Sequence, residues 1–367
     1  MTRIFFDHQK FTTQKYGGIS RYFSTIIDEI KTRPDFDYKL GVIYSDNHYI
    51  GHEKQYFKNS LGKKIMNFKN SQTAYYANET YCNYILEKSD YDIFHPTYYN
   101  PYFFKRLKKP LVITVHDMTY ERLPEYFWAN DQLTHQKRIN IERADKIIAI
   151  SQTTKNDILK FNTTIDPNKI AVIYHGIDLS KPLITKPVLN IPDEYILFVG
   201  DRSGYKNFYL FINAYVTLDE RYKNVKIVLT GGGPMGIADI EFLKRMNVFD
   251  KVHHVQVSDE ELNFLYQEAL LFVYPSLYEG FGLPILEAFK SGCPVLLSDT
   301  ECFREVGGDA VEFFSPYDMD HLSYKMGELL DDENLRASLV MRGFQRLKEF
   351  DILKCTDLTL DLYKSMI

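Results

Sequence analysis

A single tryptophan and four scattered cysteines are the scarcest features of this 367-residue chain. Cys82, Cys293, Cys302 and Cys355 form no Cys-x-x-Cys pair and have no histidine at metal spacing, which excludes a disulfide framework and a zinc site. They are expected to be reduced, small core residues. No apolar run approaches the ~18 residues that a membrane-spanning helix needs. The opening "MTRIFFDHQKF" lacks a long apolar stretch before a small-residue cleavage site, so no secretory leader is expected and the chain reads as cytoplasmic. No repeat of solenoid period is present.

The composition present, 45% apolar and 25% charged, is that of a folded soluble protein, and the length favours two domains with a cleft between them. A net charge of −5 gives no reason to expect a nucleic-acid partner. The charge is uneven: residues 1–180 carry 25 Lys+Arg against 20 Asp+Glu, and the remainder carries 19 against 29. In residues 53–70, Lys54, Lys58, Lys63, Lys64 and Lys69 alternate with Tyr56, Phe57, Ile65, Met66 and Phe68, and "KRLKK" follows at 105–109. Such interleaving suits contact with an anionic membrane or acceptor, and equally a solvated helix face.

Short apolar runs alternate with stretches of helical period, which predicts parallel sheets covered by helices. Strands are expected at 3–7, 38–44, 93–96, 111–117, 146–151 and 170–176, with helices near 18–32, 72–88, 128–144 and 152–160. The pattern restarts with strands at 195–200, 226–231, 252–256, 270–275, 293–299 and 310–314. The division predicted is an amino-terminal Rossmann-like domain at 1–178, a proline-bearing linker at 179–194 and a second Rossmann-like domain at 195–348. A last helix at 349–367 is expected to cross back to the first domain, after a helical pattern that starts near Glu333 and kinks around "EFDILK" (349–354).

Ligands of doubly wound domains sit beyond the carboxyl ends of the strands, so the strand-end loops are where chemistry is expected. In "VGDRSGYKNF", Arg202 and Lys206 precede a helix start, a place that favours anions such as a pyrophosphate. In "YPSLYEGFGLPILEA", Gly280 and Gly282 let the backbone approach a ligand, and Pro284 suits the first turn of a helix. Glu279 then lies in the loop and Glu287 about one turn inside the helix, so the two carboxylates reach different parts of an elongated, hydroxyl-rich ligand.

Glu279 and Glu287, with seven residues between them around "GFGLPILE", resemble the E-x7-E motif of the retaining glycosyltransferases of family 4. Further similarity lies in "YGGISRYF" (16–23), "VHD" (115–117), "AISQTTKNDIL" (149–159), "VGDRSGYKN" (199–207), "LTGGGP" (229–234) and "CPVLLSD" (293–299). The resemblance implies the GT-B fold, an α/β architecture of two facing Rossmann-like domains with parallel sheets and an interdomain cleft. It also implies transfer from a nucleotide-sugar donor to a saccharide or lipid-linked acceptor. Arg202 and Lys206 would hold the donor diphosphate, Glu279 the transferred sugar and Glu287 the ribose. Backbone N–H groups of Gly280, Phe281, Gly282 and Leu283 would face phosphate and sugar. Gly17, Gly18 and Val257 would complete the donor site, and His116 would contact the donor sugar at the reaction centre. Asp117, with His95, Tyr98 and Asn100 of "HPTYYNP", is assigned to the acceptor.

The sequence departs from the family at Gln256, where a glycine is usual, which leaves the base preference open. Asp-x-Asp triplets at 35–37, 90–92 and 318–320 invite a metal-site reading, but their placement predicts no cofactor and no essential metal. Ser151 has the chemistry of a helix cap. "ITVHDMTYERLPEYF" and "FHPTYYNP" are most similar to bacterial mannosyltransferases of O-antigen and polysaccharide assembly, which makes GDP-mannose the first-choice donor and a UDP-sugar the alternative. A nucleotide-sugar hydrolase or epimerase, a noncatalytic sensor and a membrane scaffold are the rival readings. A sensor is disfavoured because Lys206 and Glu279 are both present.

Overall fold

The computed structural model describes residues 1–57, 59–66, 72–180, 190–202, 204–218 and 220–367. Residues 58 and 67–70 of the basic segment, and 181–189 of the expected linker, lie outside the described residues. The strands are β1 (Thr2–Phe6), β2 (Phe36–Leu40), β3 (Ile93–His95), β4 (Val112–Val115), β5 (Lys146–Ala149), β6 (Ile170–Val172), β7 (Tyr195–Val199), β8 (Lys226–Thr230), β9 (Val252–Val255), β10 (Leu271–Tyr274), β11 (Val295–Ser298) and β12 (Glu312–Phe314). Each falls within a segment in which the apolar runs predicted one, apart from β1 and β2, which begin one and two residues early.

The chain divides into two compact units. Unit 1 comprises Met1–Glu121, Phe127–His175 and Leu353–Ile367; unit 2 comprises Arg122–Tyr126 and Gly176–Ile352. Arg122–Tyr126 therefore groups with the second unit, although it lies within the stretch assigned from sequence to the first domain.

In unit 1 two parallel three-stranded sheets, β2-β1-β3 and β4-β5-β6, are joined by a single parallel bridge between Phe94 and Leu111. The helix Gly18–Thr32 turns Phe23, Ile26, Ile27 and Ile30 inward at the spacing of one helical face and stops just before Arg33-Pro34. The terminal helix, Ile352–Lys364, binds this unit through Tyr363, whose hydroxyl lies 2.6 Å from His95 Nδ1, and through the 2.6 Å Lys364–Asp35 ion pair.

In unit 2 the six strands form one parallel sheet of order β12-β11-β10-β7-β8-β9. Its core packs Phe198, Phe208, Phe211, Ile227, Leu229, Leu271 and Val273, all buried. Each such side chain contributes roughly 1.5–3 kcal/mol by leaving water. The helical pattern from Glu333 breaks after Leu347 because Ile177 bridges to Asp351: its N–H donates to the Phe350 carbonyl (2.9 Å) and its own carbonyl accepts from Ile352 N–H (3.2 Å). Strand pairing there takes up the groups that a continuous helix would use.

All four cysteines are buried. Among the described residues, no helix is long and apolar enough to cross a membrane.

Candidate active site

Strand order in unit 2 reverses between β7 and β10: β7 connects onward to β8 on one side, and β10 to β11 on the other. The carboxyl ends of two such strands diverge and leave a crevice, the usual ligand position of this architecture. The loops that leave β7 and β10 carry Lys206 and Glu279.

Lys206 Nζ lies 2.6 Å from Glu279 Oε1, and both side chains are largely buried. Burial opposes the charge on Lys206, but Glu279, aided by Tyr274 and Tyr205, outweighs it and holds the ammonium well above its ordinary pKa. Burial and then Glu279 drive the Tyr274 hydroxyl well above its usual value. The two loops are also tied through the backbone, Leu277 N–H donating to the Tyr205 carbonyl at 2.8 Å. Gly282, at φ +97°, turns the β10 loop into the helix Leu283–Lys290, which has Pro284 in its first turn. A side chain at that φ would strain the turn. Glu287 lies in this helix and is buried; Phe281 is a core residue whose ring meets Phe350.

Arg202 does not project from the loop as expected. Its Nε donates to Asp239 at 3.0 Å, and its terminal nitrogens donate to the carbonyls of Gly231 (3.2 Å), Gly232 (3.4 Å), Gly233 (3.0 Å) and Pro234 (2.9 Å). The guanidinium fork thus organises the turn after β8, where Gly231, Gly232 and Gly233 all have left-handed backbones. At Gly232 a Cβ would come within 2.4 Å of the Asp201 Cα. Val257 is half-buried in the loop after β9, two strands away from β7 in the sheet.

In unit 1 the reversal falls between β1 and β3. The buried Asp7 organises it, accepting from Thr97 N–H (2.8 Å), Thr97 Oγ1 (2.7 Å) and Gln9 Nε2 (2.8 Å). Lys10 Nζ sits 3.5 Å from the centre of the Tyr98 ring. Burial lowers its pKa to about 8, with Asp117 opposing that shift. His116, at the end of β4, stacks on His175 at 5.7 Å. Its Nε2 is buried with no hydrogen-bond partner, and burial, with His175 and Lys10 adding to it, holds the ring neutral. Asp117 accepts from Thr119 N–H at 2.9 Å, while its carbonyl accepts from the buried Lys137 at 3.0 Å. Gly17 caps the helix Gly18–Thr32. Ser151 caps the helix Gln152–Phe161 by accepting from Thr154 N–H, as its type predicts.

One acceptor assignment, His95, is corrected. His95 is fully buried, with Nδ1 2.6 Å from Tyr363 and Nε2 3.0 Å from Thr114, so it has no surface to offer a ligand. Asn100 uses its amide within the fold: Nδ2 donates to the Tyr75 hydroxyl and Oδ1 accepts from Tyr102 N–H. Five of the six Asp-x-Asp acids have partners within the fold. Asp35 pairs with Lys364, Asp37 and Asp90 with Arg3, and Asp92 accepts from Arg3 N–H, while Asp318 caps a helix.

The family model of glycosyltransferase family 4 matches residues 17–181, and that of group 1 glycosyl transferases matches 183–346. The chain is 31% identical over 295 residues to the O-antigen chain mannosyltransferase B of Escherichia coli, a match spanning 76% of each chain. The chain is a group 1 glycosyltransferase with a family 4 amino-terminal domain. This glycosyltransferase is also 31% identical over 207 residues to the O-antigen chain mannosyltransferase RfbU of Salmonella typhimurium, covering 56% of this chain and 57% of the relative. Its GT-B fold is shared with sucrose-phosphate synthase from Thermosynechococcus elongatus (TM-score 0.76, 17% identity, 100% of this chain and 99% of that one). Anabaena HepE, solved with UDP and glucose, has a TM-score of 0.72 at 17% identity over 100% of both chains.

Sequence reading missed Asp7, Lys10, Lys137, His175 and Tyr274 of the glycosyltransferase. Asp7, His175 and Tyr274 end apolar runs as His116 does, and that position was the available signal. Lys10 and Lys137 carry no local signal, because their burial arises from distant packing.

Proposed function

We propose that the enzyme moves a mannosyl residue, with retention of configuration, from GDP-mannose to a saccharide or lipid-linked saccharide acceptor of cell-surface polysaccharide. The observation that carries this reading is the Lys206–Glu279 pair at the reversal of strand order in unit 2. A cation there takes the diphosphate and a carboxylate beside it takes sugar hydroxyls. The mannosyltransferase names of the relatives supply the choice of sugar.

On this reading Lys206 offsets the charge that develops on the departing diphosphate, helped by backbone N–H groups of Gly280, Phe281, Gly282 and Leu283. Glu287 holds the ribose. Arg202 acts from behind, keeping the 231–234 turn in shape, and Gly17, Gly18 and Val257 keep their assignment to the donor. The neutral His116 offers Nε2 to a hydroxyl of the donor sugar. Asp117 and Tyr98 face the acceptor. Glu279, ion-paired with Lys206, orients the sugar and stabilises its positive charge; it does not attack. The leaving phosphate takes the acceptor proton on the same face of the sugar.

No divalent ion is required, since Lys206 and the helix amino terminus supply the positive charge, and turnover is expected to survive EDTA. The described part of 53–70 exposes Tyr56, Phe57, Leu61 and Ile65 beside Lys63 and Lys64, which with 105–109 supports peripheral contact at the cytoplasmic face of a membrane. A UDP-sugar donor is the second reading, favoured by the UDP and glucose in the HepE structure.

Thermal shifts with GDP, UDP, ADP and CMP, followed by NMR of the product from GDP-mannose, test the proposal. Stabilisation by GDP and an α-linked product are expected. Stabilisation by UDP alone overturns the donor, a β-linked product overturns retention, and donor cleavage with no acceptor present makes the enzyme a hydrolase.

A further inference from the structure

Residues 122–126, "RLPEY", leave unit 1 five residues after Asp117 and pack within unit 2. Their contacts fall on the two loops that carry Lys206 and Glu279. The edge of the Tyr126 ring meets Gly204: a Cβ on that glycine would stand 2.6 Å from Tyr126 Cδ1 and 2.8 Å from Cε1. Arg122 reaches the other loop, its guanidinium 5.8 Å from the centre of the Tyr278 ring, next to Glu279, while its NH2 is anchored 2.7 Å from Glu301 Oε2. Pro124–Tyr126 forms a 3-10 turn, and Tyr126 N–H donates to the Leu123 carbonyl at 3.1 Å, so the strap between the two contacts is preformed.

The Lys206 loop therefore has a wall on each side. On one, the Tyr205 carbonyl accepts from Leu277 N–H; on the other, Gly204 abuts the ring edge of Tyr126. Glycine at 204 is explained by this contact and not by its own backbone, because Gly204 is absent from the positive-φ glycines. With a short loop held between two partners, the ammonium of Lys206 keeps one position; without Tyr126 the Gly204–Lys206 turn gains freedom that donor binding must then remove.

We propose that Tyr126 and Arg122 are positioning residues of the donor site, a strap from the amino-terminal half of the sequence that holds the Gly204–Lys206 turn and the Glu279 loop in register. The proposal rests on the reading that these loops bind a nucleotide-sugar. It gives the "LPEYF" stretch a role in placing the diphosphate-binding lysine, acting through loop geometry and not by touching the reacting atoms. The contact is made by ring carbons, so the ring matters and the phenolic hydroxyl does not.

The test is a double-mutant cycle on the full chain, reading the donor KM, kcat and melting temperature. Tyr126→Ala is expected to raise the donor KM roughly tenfold, to leave acceptor KM unchanged and to change the melting temperature little, while Tyr126→Phe retains wild-type values. Gly204→Ala, which pushes against the ring, is expected to raise the donor KM to a similar degree in the wild-type background. In the Tyr126→Ala background it should add almost nothing, because the atom it collides with is gone. Fully additive effects, or an unchanged donor KM and kcat in Tyr126→Ala, overturn the strap while leaving the donor reading in place. If the unsubstituted enzyme binds neither GDP nor UDP in a direct titration, the donor reading falls, and the strap's role falls with it.

Discussion

Lys206 and Glu279 set each other's state. Each would be costly to bury alone, and at 2.6 Å their attraction offsets the loss of water from both. Removing one partner strands a charge, whereas replacing both with apolar side chains of similar volume costs little. The double variant Lys206→Met/Glu279→Leu is therefore expected to melt within a few degrees of the parent while transfer falls by roughly 10²-fold or more. Calorimetry and product formation from the donor check this, and substantial remaining transfer would remove the pair from the mechanism. His95 makes the opposite point. It and His116 each lie at or just after the end of an apolar strand and look alike in sequence, yet His95 has both nitrogens bonded and His116 has a free Nε2. His95→Ala is expected to lower stability by about 1–3 kcal/mol, through the Tyr363 hydroxyl left without its partner, with acceptor KM unchanged in steady-state assays.

The turn at 231–234 shows what a whole element requires. Three consecutive glycines with positive φ have little intrinsic preference for one shape, and the Arg202 fork supplies it by bonding four carbonyls and Asp239. Lysine cannot reproduce that, because an ammonium is a point donor on a flexible stem. Arg202→Lys is expected to speed amide exchange across 231–236 and to weaken donor binding roughly tenfold, which corresponds to about 1.4 kcal/mol. Exchange at the parent rate would show that the turn holds its shape unaided. From the sequence, Arg202 was legible as a cation near a helix start; its direction was not, since the carbonyls it meets come from another strand's loop. The break in the terminal helical pattern was legible as a kink, but its cause, the bridge between Ile177 and Asp351, involves a partner far away in the chain.

At the scale of the molecule, unit 1 gathers histidines that fold in the neutral form. Burial lowers His8 to about 4 and His95 and His175 to about 3, and lowers His116 as well. An unfolded histidine titrates near 6.5, so between that pH and the folded values the unfolded chain binds more protons. The stability from keeping these rings neutral is complete above about pH 6.5 and falls as pH drops, by up to about 1.4 kcal/mol per unit for each ring. The urea midpoint is expected to be flat from pH 8 to about 6.5 and to decline steeply towards 4, with amide protection lost first in unit 1. A His175→Phe variant should show a shallower decline, and a flat profile in the parent would contradict the neutral rings. The sequence by itself determined the twelve strands of the described residues, the restart of the βα pattern and the strand-end loops where Lys206, Glu279 and His116 lie. Apolar period, glycine and proline act on near neighbours, and that is why those features are visible in one dimension. Only the tertiary structure decided that strand order reverses beside Lys206 and Glu279, that Arg202 turns to a glycine loop and His95 inward, and that residues 122–126 join unit 2. Those outcomes depend on which distant segments pack together, and residue type at one position carries no record of its partners across the fold.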